Sequence, residues 1–181
     1  RRKPQILHHE GRYTMADMNT FFHEATLRIC GSLEIETVAK DCLEYLKDFM
    51  PLDGILIIHY DRLSMSLMVL AAASNVPLNL NKNAHTVIKF SPEAHQELNR
   101  AKKNIRIYNN AEGILSKNMW ENLGFMDKSS ILLSVEFKGK RIGGVIFFCR
   151  GQNRYSEGHA ELVRQLYKPF SIALANSLQY Q

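Results

Sequence analysis

The sequence lacks any run of 18 or more uninterrupted apolar residues, so no membrane-spanning helix is expected. No apolar stretch follows the opening Arg1-Arg2-Lys3-Pro4, so no signal-peptide pattern is visible, and a cytoplasmic location is expected. Cysteine is scarce, with three in 181 residues, and there is no CxxC pair or metal-ligand spacing. Cys30, Cys42 and Cys149 lie in apolar periodic segments and read as reduced core thiols. There is no Ser elbow, HExxH, Walker loop or GxGxxG. With 45% apolar, 9% aromatic and 23% charged residues, a disordered, collagen-like or disulfide-stapled chain is excluded. The length fits one domain. The chain also lacks an initiator Met and is expected to be a piece of a longer protein.

The +5 net charge is uneven: Arg1, Arg2, Lys3 and Arg12 against Glu10 put +3 of it in residues 1–14. This segment reads as a solvated tail or linker ahead of a domain over 15–181, because nucleic-acid binding calls for a basic stripe with interleaved aromatics on a folded face. His8-His9 gives a weak metal-ligand hint and nothing beyond it.

Apolar spacing predicts a helix over 15–30 through Met18, Phe21, Phe22, Ala25 and Ile29, broken at Gly31-Ser32, and a second over 34–49. Strands follow at 55–60 and 67–74, joined by a turn. Ile55-Leu56-Ile57-Ile58 is apolar on both faces, which marks a central strand. Residues 75–85 read as a long loop and 86–90 as a short strand. Ser91-Pro92-Glu93 opens a helix running to about Lys103. A strand at 105–108, a short helix at 117–123 and a hairpin of 130–137 with 141–149 across Lys138-Gly139-Lys140 come next. Gly143-Gly144 suggests a close approach to the backbone. A long helix from Ser156 to about Tyr180 carries Pro169, which should kink it. Antiparallel hairpins with helices at the ends and middle make the chain α+β.

Several segments, in this order, resemble the GAF family of small-molecule sensor domains over most of 19–180. They are Leu33 to Val38, the strand Ile55 to Ile58, Ile105 to Gly113, Ser130 to Val135 followed by Gly139 and Ile142 to Ile146, and Tyr155-Ser156-Glu157 with Ile172 to Ser177. Glu136 departs from the family's proline-leucine pattern. The resemblance implies a six-stranded antiparallel sheet. The first, second and last helices would cover one face. A pocket on the other would be roofed by the middle helix and the two long loops. Lys168 to Asn176 is similar to the end of the sensor domain in bacterial sigma-54-dependent transcriptional activators, which implies an effector module after Gln181.

For such a pocket the candidate ligand-binding residues are Lys89, His95, Tyr108, Trp120, Phe125 and Ser130. Met119-Trp120 with Phe125-Met126 could equally plug the pocket as core. Trp120→Ala is expected to abolish ligand binding and leave the fold intact. His85 and His95 lack a carboxylate or thiolate partner for a metal. Strand alternation separates His59 from Tyr60, so the pair makes no acid–base site. Bilin-binding relatives imply a cysteine near the pocket, and the methionine-sulfoxide-reducing branch implies loop cysteines; neither is present. The expectation is a non-enzymatic sensory domain that binds an unnamed small-molecule effector. It would pair with itself through its terminal helices, with no nucleic acid or membrane partner. A structural dimerisation module with a self-filled pocket and a small-molecule enzyme on the same scaffold stand as alternatives.

Overall fold

The computed structural model describes residues 14–110 and 113–179. Of the expected tail only Thr14 falls within this range; the other tail residues and His8-His9 lie outside it. Thr14 is the N-cap of α1 (Met15–Cys30): its Oγ1 accepts from Asp17 N–H at 3.1 Å, and Asp17 Oδ2 accepts from Thr14 N–H at 3.1 Å. The helix buries Phe21, Ala25 and Ile29, one per turn. Cys30 is exposed, a correction to the core-thiol reading, because it falls about 100° around the helix from Ile29. Cys42 and Cys149 are buried. The second helix, α2 (Ile35–Leu46), stops before the expected Phe49, and turn residues carry the chain on.

Six strands form one antiparallel sheet. They are β1 (Gly54–Asp61), β2 (Ser66–Ser74), β3 (Thr86–Lys89), β4 (Ile105–Tyr108), β5 (Lys128–Phe137) and β6 (Lys140–Arg150), in the order β3-β2-β1-β6-β5-β4. The two central strands are apolar on both sides, as expected. Ile55, Ile57, Val145 and Phe147 enter one core, and Leu56, Ile58, Ile146 and Phe148 enter the other. The β5–β6 connection is two residues, not three: Lys138 and Gly139 both have positive φ (51° and 75°), which matches the twist of a tight hairpin. Cβ atoms on Gly143 and Gly144 would lie 2.0 Å from Ile58 O and 2.4 Å from Leu133 O. The close approach foreseen there is that of the neighbouring strands.

The first core lies under helices. α2 and α6 (Tyr167–Gln179) pack on the sheet, and α1 packs against both. The expected long last helix is two helices, α5 (Glu157–Arg164) and α6. The Pro169 ring cannot sit over the carbonyl four residues back, so the chain turns at Gln165-Leu166 and Pro169 falls in the first turn of α6. The second core is roofed by α3 (Pro92–Arg100) and α4 (Ile114–Leu123), which pack on each other. Ser91 caps α3 as expected. α4 starts three residues earlier than the spacing predicts, since Glu97 Oε2 on α3 accepts from Leu115 N–H at 3.0 Å.

Candidate functional site

On the roofed face β1 and β6 form the floor of a cavity of about 40 Å³, with Ile58, Tyr60 and Ile146 beneath and Leu115, Ser116, Met119 and Trp120 of α4 above. Tyr108 and Arg141 stand at its wall. A single water needs roughly 10–15 Å³ of such space, so the interior holds about three.

Arg141 reaches this face through a bulge. Val135 pairs with Gly143 and Glu136 with Arg141, which leaves Ile142 as the extra residue. Counting back from Ile146 and Phe148, plain alternation would put Arg141 on the helix face and Ile142 on the roofed one. The bulge reverses both: Ile142 packs on the helix-side core and Arg141 lines the cavity. Its Nη1 and Nη2 donate to the carbonyls of Leu98 (2.6 Å) and Ala101 (2.9 Å), which the end of α3 leaves free. No carboxylate among the described residues lies within ion-pair distance of it. Burial and the nearby Arg106 cation hold this guanidinium below its ordinary range.

Four polar atoms of the lining residues are shielded from solvent and from the cavity alike and have no protein partner: Tyr108 Oη, Ser116 Oγ, Trp120 Nε1 and Arg141 Nε. Arg106 adds Nε and Nη2 from the same side of β4. Burial raises the phenols of Tyr108 and Tyr60, so both hydroxyls stay protonated at neutral pH.

The six candidate residues divide evenly. Tyr108, Trp120 and Ser130 line the cavity. Lys89 is exposed, and only its carbonyl takes part, accepting from Asn118 Nδ2 at 3.2 Å. His95 stands behind the wall: its Nδ1 lies 2.7 Å from Tyr60 Oη and its Nε2 2.9 Å from Asn99 Nδ2. With Asn99 donating, the neutral ring carries its proton on Nδ1 and donates to Tyr60. Phe125 packs behind Trp120 and Phe148. Trp120 is wholly buried and stacks edge-on against Phe148 at 5.1 Å. Its truncation would cost about 3–5 kcal/mol, so Trp120→Ala cannot be expected to leave the fold intact. Beside it Lys128, 1% exposed, sits 4.3 Å from the indole centroid and donates to Phe125 O. Desolvation lowers its ammonium to about 8.

Arg141, Tyr60, Ser116 and Ser134 line the cavity and were not foreseen. Tyr60 and Ser134 follow from strand alternation alone, whereas Arg141 needs the bulge and Ser116 the extra turn of α4. Among the described residues no cluster of three His, Cys, Asp or Glu could hold a metal ion, and no helix is long and apolar enough to cross a membrane.

No family model and no curated protein sequence matches the chain. Solved structures do. The GAF domain of a phosphoenolpyruvate-protein phosphotransferase from Coxiella burnetii superposes with a TM-score of 0.66 at 13% identity, over 93% of this chain and 98% of that one. A free methionine-R-sulfoxide reductase from Neisseria meningitidis, solved with its substrate, gives 0.64 at 13% over 92% and 93%. The phycocyanobilin-bound GAF domain of a cyanobacterial phytochrome gives 0.63 at 16% over 91% and 97%. The fold is therefore that of GAF domains.

Proposed function

We propose that this chain is a non-enzymatic sensory domain of a signalling or transcription-regulatory protein, and that a small molecule in the roofed cavity biases the arrangement of its terminal helices. One observation carries the reading. The sheet and its two-helix roof leave between them an almost wholly apolar space of about 40 Å³, lined by Ile58, Leu115, Met119, Leu132 and Ile146. A small apolar group would fill it. Ser130, Leu132 and Ser134 of β5 line the cavity, and α6 packs on the other side of that strand, so a shift of β5 would reach the last helix directly. The ligand can move that equilibrium only by its differential affinity for the two arrangements.

The reductase among the structural neighbours raises thiol chemistry as the second reading. The cysteines here argue against it. None lines the cavity, and burial pushes the Cys42 thiol up to about 12 and raises Cys149. A thiol so protonated is a poor nucleophile. The absence of a thiol at the cavity wall also argues against a covalently attached bilin. The ending Lys168 to Asn176 favours a place ahead of an effector module, as in the sigma-54-dependent activators, with self-association through exposed side chains such as Phe22 and Ile172.

Native mass spectrometry of the purified domain, set against the denatured sample, tests this. An excess mass lost on denaturation is expected, on a dimer. No excess mass, together with no response to any screened metabolite, would leave the structural dimerisation module as the better reading.

A further inference from the structure

The two edges of the sheet differ in what covers them. The register of β4 with β5 sets Ile105 opposite Leu133 and Tyr108 opposite Ser130. Asn104 O accepts from Ser134 N–H at 2.7 Å, which makes 104 and 134 a hydrogen-bonded pair. Such pairs alternate along an antiparallel ladder, so Arg106 and Tyr108 bond to β5. The N–H and C=O groups of Ile105 and Ile107 then point away from it. No hydrogen bond among the described residues reaches those outward groups. At the opposite edge the same alternation turns Lys89 O outward, and there Asn118 Nδ2 donates to it at 3.2 Å.

A groove follows the open edge. The four residues of β4 form one side, and Glu157, Ala160 and Arg164 of α5 form the other, with about 360 Å³ between them. Past Lys103 and Arg164 it widens into a hollow of about 610 Å³ bounded by Asn104, Tyr167 and Lys168. Its lining carries four cations, Lys103, Arg106, Arg164 and Lys168, against the carboxylate of Glu157. Lys103 and Lys168 are exposed, and neither pairs with a described carboxylate; Glu161 is paired with Arg164. Flanking lysines and a short length blunt an edge against indiscriminate strand pairing. Here the charge also selects what can pair.

We infer that this edge docks an extended acidic peptide, which adds to the sheet as a seventh strand. Its main chain would bond to Ile105 and Ile107, and its carboxylates would lie near Lys103, Arg164 and Lys168. The inference goes beyond the sensory reading and is independent of what the cavity holds. A second copy is a poor occupant, because β4 pairing with itself would set the same excess of cations face to face. Directly opposite residues share a face of the sheet. Ile105 and Ile107 pack on the helix-side core, so peptide residues opposite them would meet that side, where Ala160 leaves room for a small side chain. Residues opposite Arg106 would meet its cation. Acids alternating with small apolar residues fit both demands.

The probe is an acetylated and amidated six-residue peptide of alternating Glu and Val. The comparisons are the same peptide with Lys for Glu, the Glu–Val peptide methylated on every main-chain nitrogen, and a ten-nucleotide thymidine strand as a polyanion that is not a peptide. The readout is amide hydrogen exchange of single residues. In the free domain the amides of Ile105 and Ile107 should exchange faster than those of Arg106 and Tyr108. At saturation the Glu–Val peptide should slow Ile105 and Ile107 by about tenfold or more, and rising salt should weaken it. The Lys–Val and methylated peptides should give no protection. Lys103→Glu combined with Lys168→Glu should weaken binding about tenfold or more without lowering the melting temperature, because both side chains are exposed. Slow exchange at Ile105 and Ile107 in the free domain would mean that the edge is already covered, and would overturn the inference. Equal binding of the methylated peptide or of the thymidine strand would reduce the groove to a patch for any polyanion. No binding of the Glu–Val peptide at about 1 mM, or unchanged affinity in the doubly substituted variant, would also overturn it. None of these results bears on the mass-spectrometric test of the cavity, so the two readings fail separately.

Discussion

The two faces of the sheet are built from the same strands and end differently. On the helix face, α1, α2 and α6 close over Ile55, Ile57, Val145 and Phe147, none of which lines the roofed cavity. On the roofed face, the same strands meet α3 and α4 around a void. Seven buried polar atoms among the described residues lack partners, and only Thr26 Oγ1 belongs to the helix side; the other six stand on the roofed one. Unpaired polar atoms cost stability wherever they lie. Their near-confinement to one face means that the roofed face carries the larger uncompensated desolvation cost.

The largest effect should therefore come from the helix face. Phe147 is fully buried and packs edge-on against Phe170 of α6 at 6.1 Å. Phe147→Ala should cost about 3–5 kcal/mol in denaturant unfolding. Met119→Ala, on the roof beside an existing void, should fall near the low end of its range, about 2 kcal/mol, because fewer contacts are lost. Equal losses at the two positions would break the contrast.

The next effect is electrostatic and belongs to the roofed face. Lys128 is buried with its ammonium lowered from 10.5 to about 8, mainly by desolvation. The unfolded chain then binds the additional proton between those two values, so stability rises with pH across about 8 to 10.5. The gain is about 3 kcal/mol at most. Cys42 and the buried phenols are shifted upward and oppose it above about pH 9. The useful quantity is therefore wild type minus Lys128→Met, measured by denaturant unfolding from pH 7 to 10. That difference should grow in favour of the wild type as pH rises; a flat difference would show that the ammonium is not desolvated by its Trp120 and Phe125 surroundings.

The helix face was almost fully legible in the sequence. The stripe Phe21, Ala25 and Ile29 and the two-sided run Ile55 to Ile58 are local patterns, and local patterns set both. Missed on that side were the exposure of Cys30, the early end of α2 and the division of the last helix, which turned on the atom Pro169 disturbs: the carbonyl four residues earlier. The roofed site was half legible. Tyr108, Trp120 and Ser130 were reached as aromatic and polar residues near an expected pocket, whereas Lys89, His95 and Phe125 were not at its wall. Arg141 was out of reach because its direction depends on one extra residue in β6, and a one-residue slip exchanges the faces of a strand. Ser116 was hidden because the first turn of α4 is held by Glu97, a residue on a different helix.

The smallest effect is the sharpest comparison, since it sets one buried serine on each face against the other. Ser129, opposite Cys149 on the helix side, donates its Oγ proton to Gly151 O at 2.9 Å and accepts from Arg154 N–H at 3.1 Å. Ser116 is equally buried, but its Oγ has no partner. Alanine at 129 removes a hydroxyl that satisfies two backbone groups, and should cost about 1–2 kcal/mol. Alanine at 116 removes a hydroxyl whose desolvation nothing repays, and should be neutral or stabilising by up to about 1 kcal/mol in the ligand-free domain. A loss at 116 as large as at 129 without ligand would mean that this hydroxyl serves the fold after all, and the division of labour between the faces would fail at the residue where it is most exposed to test.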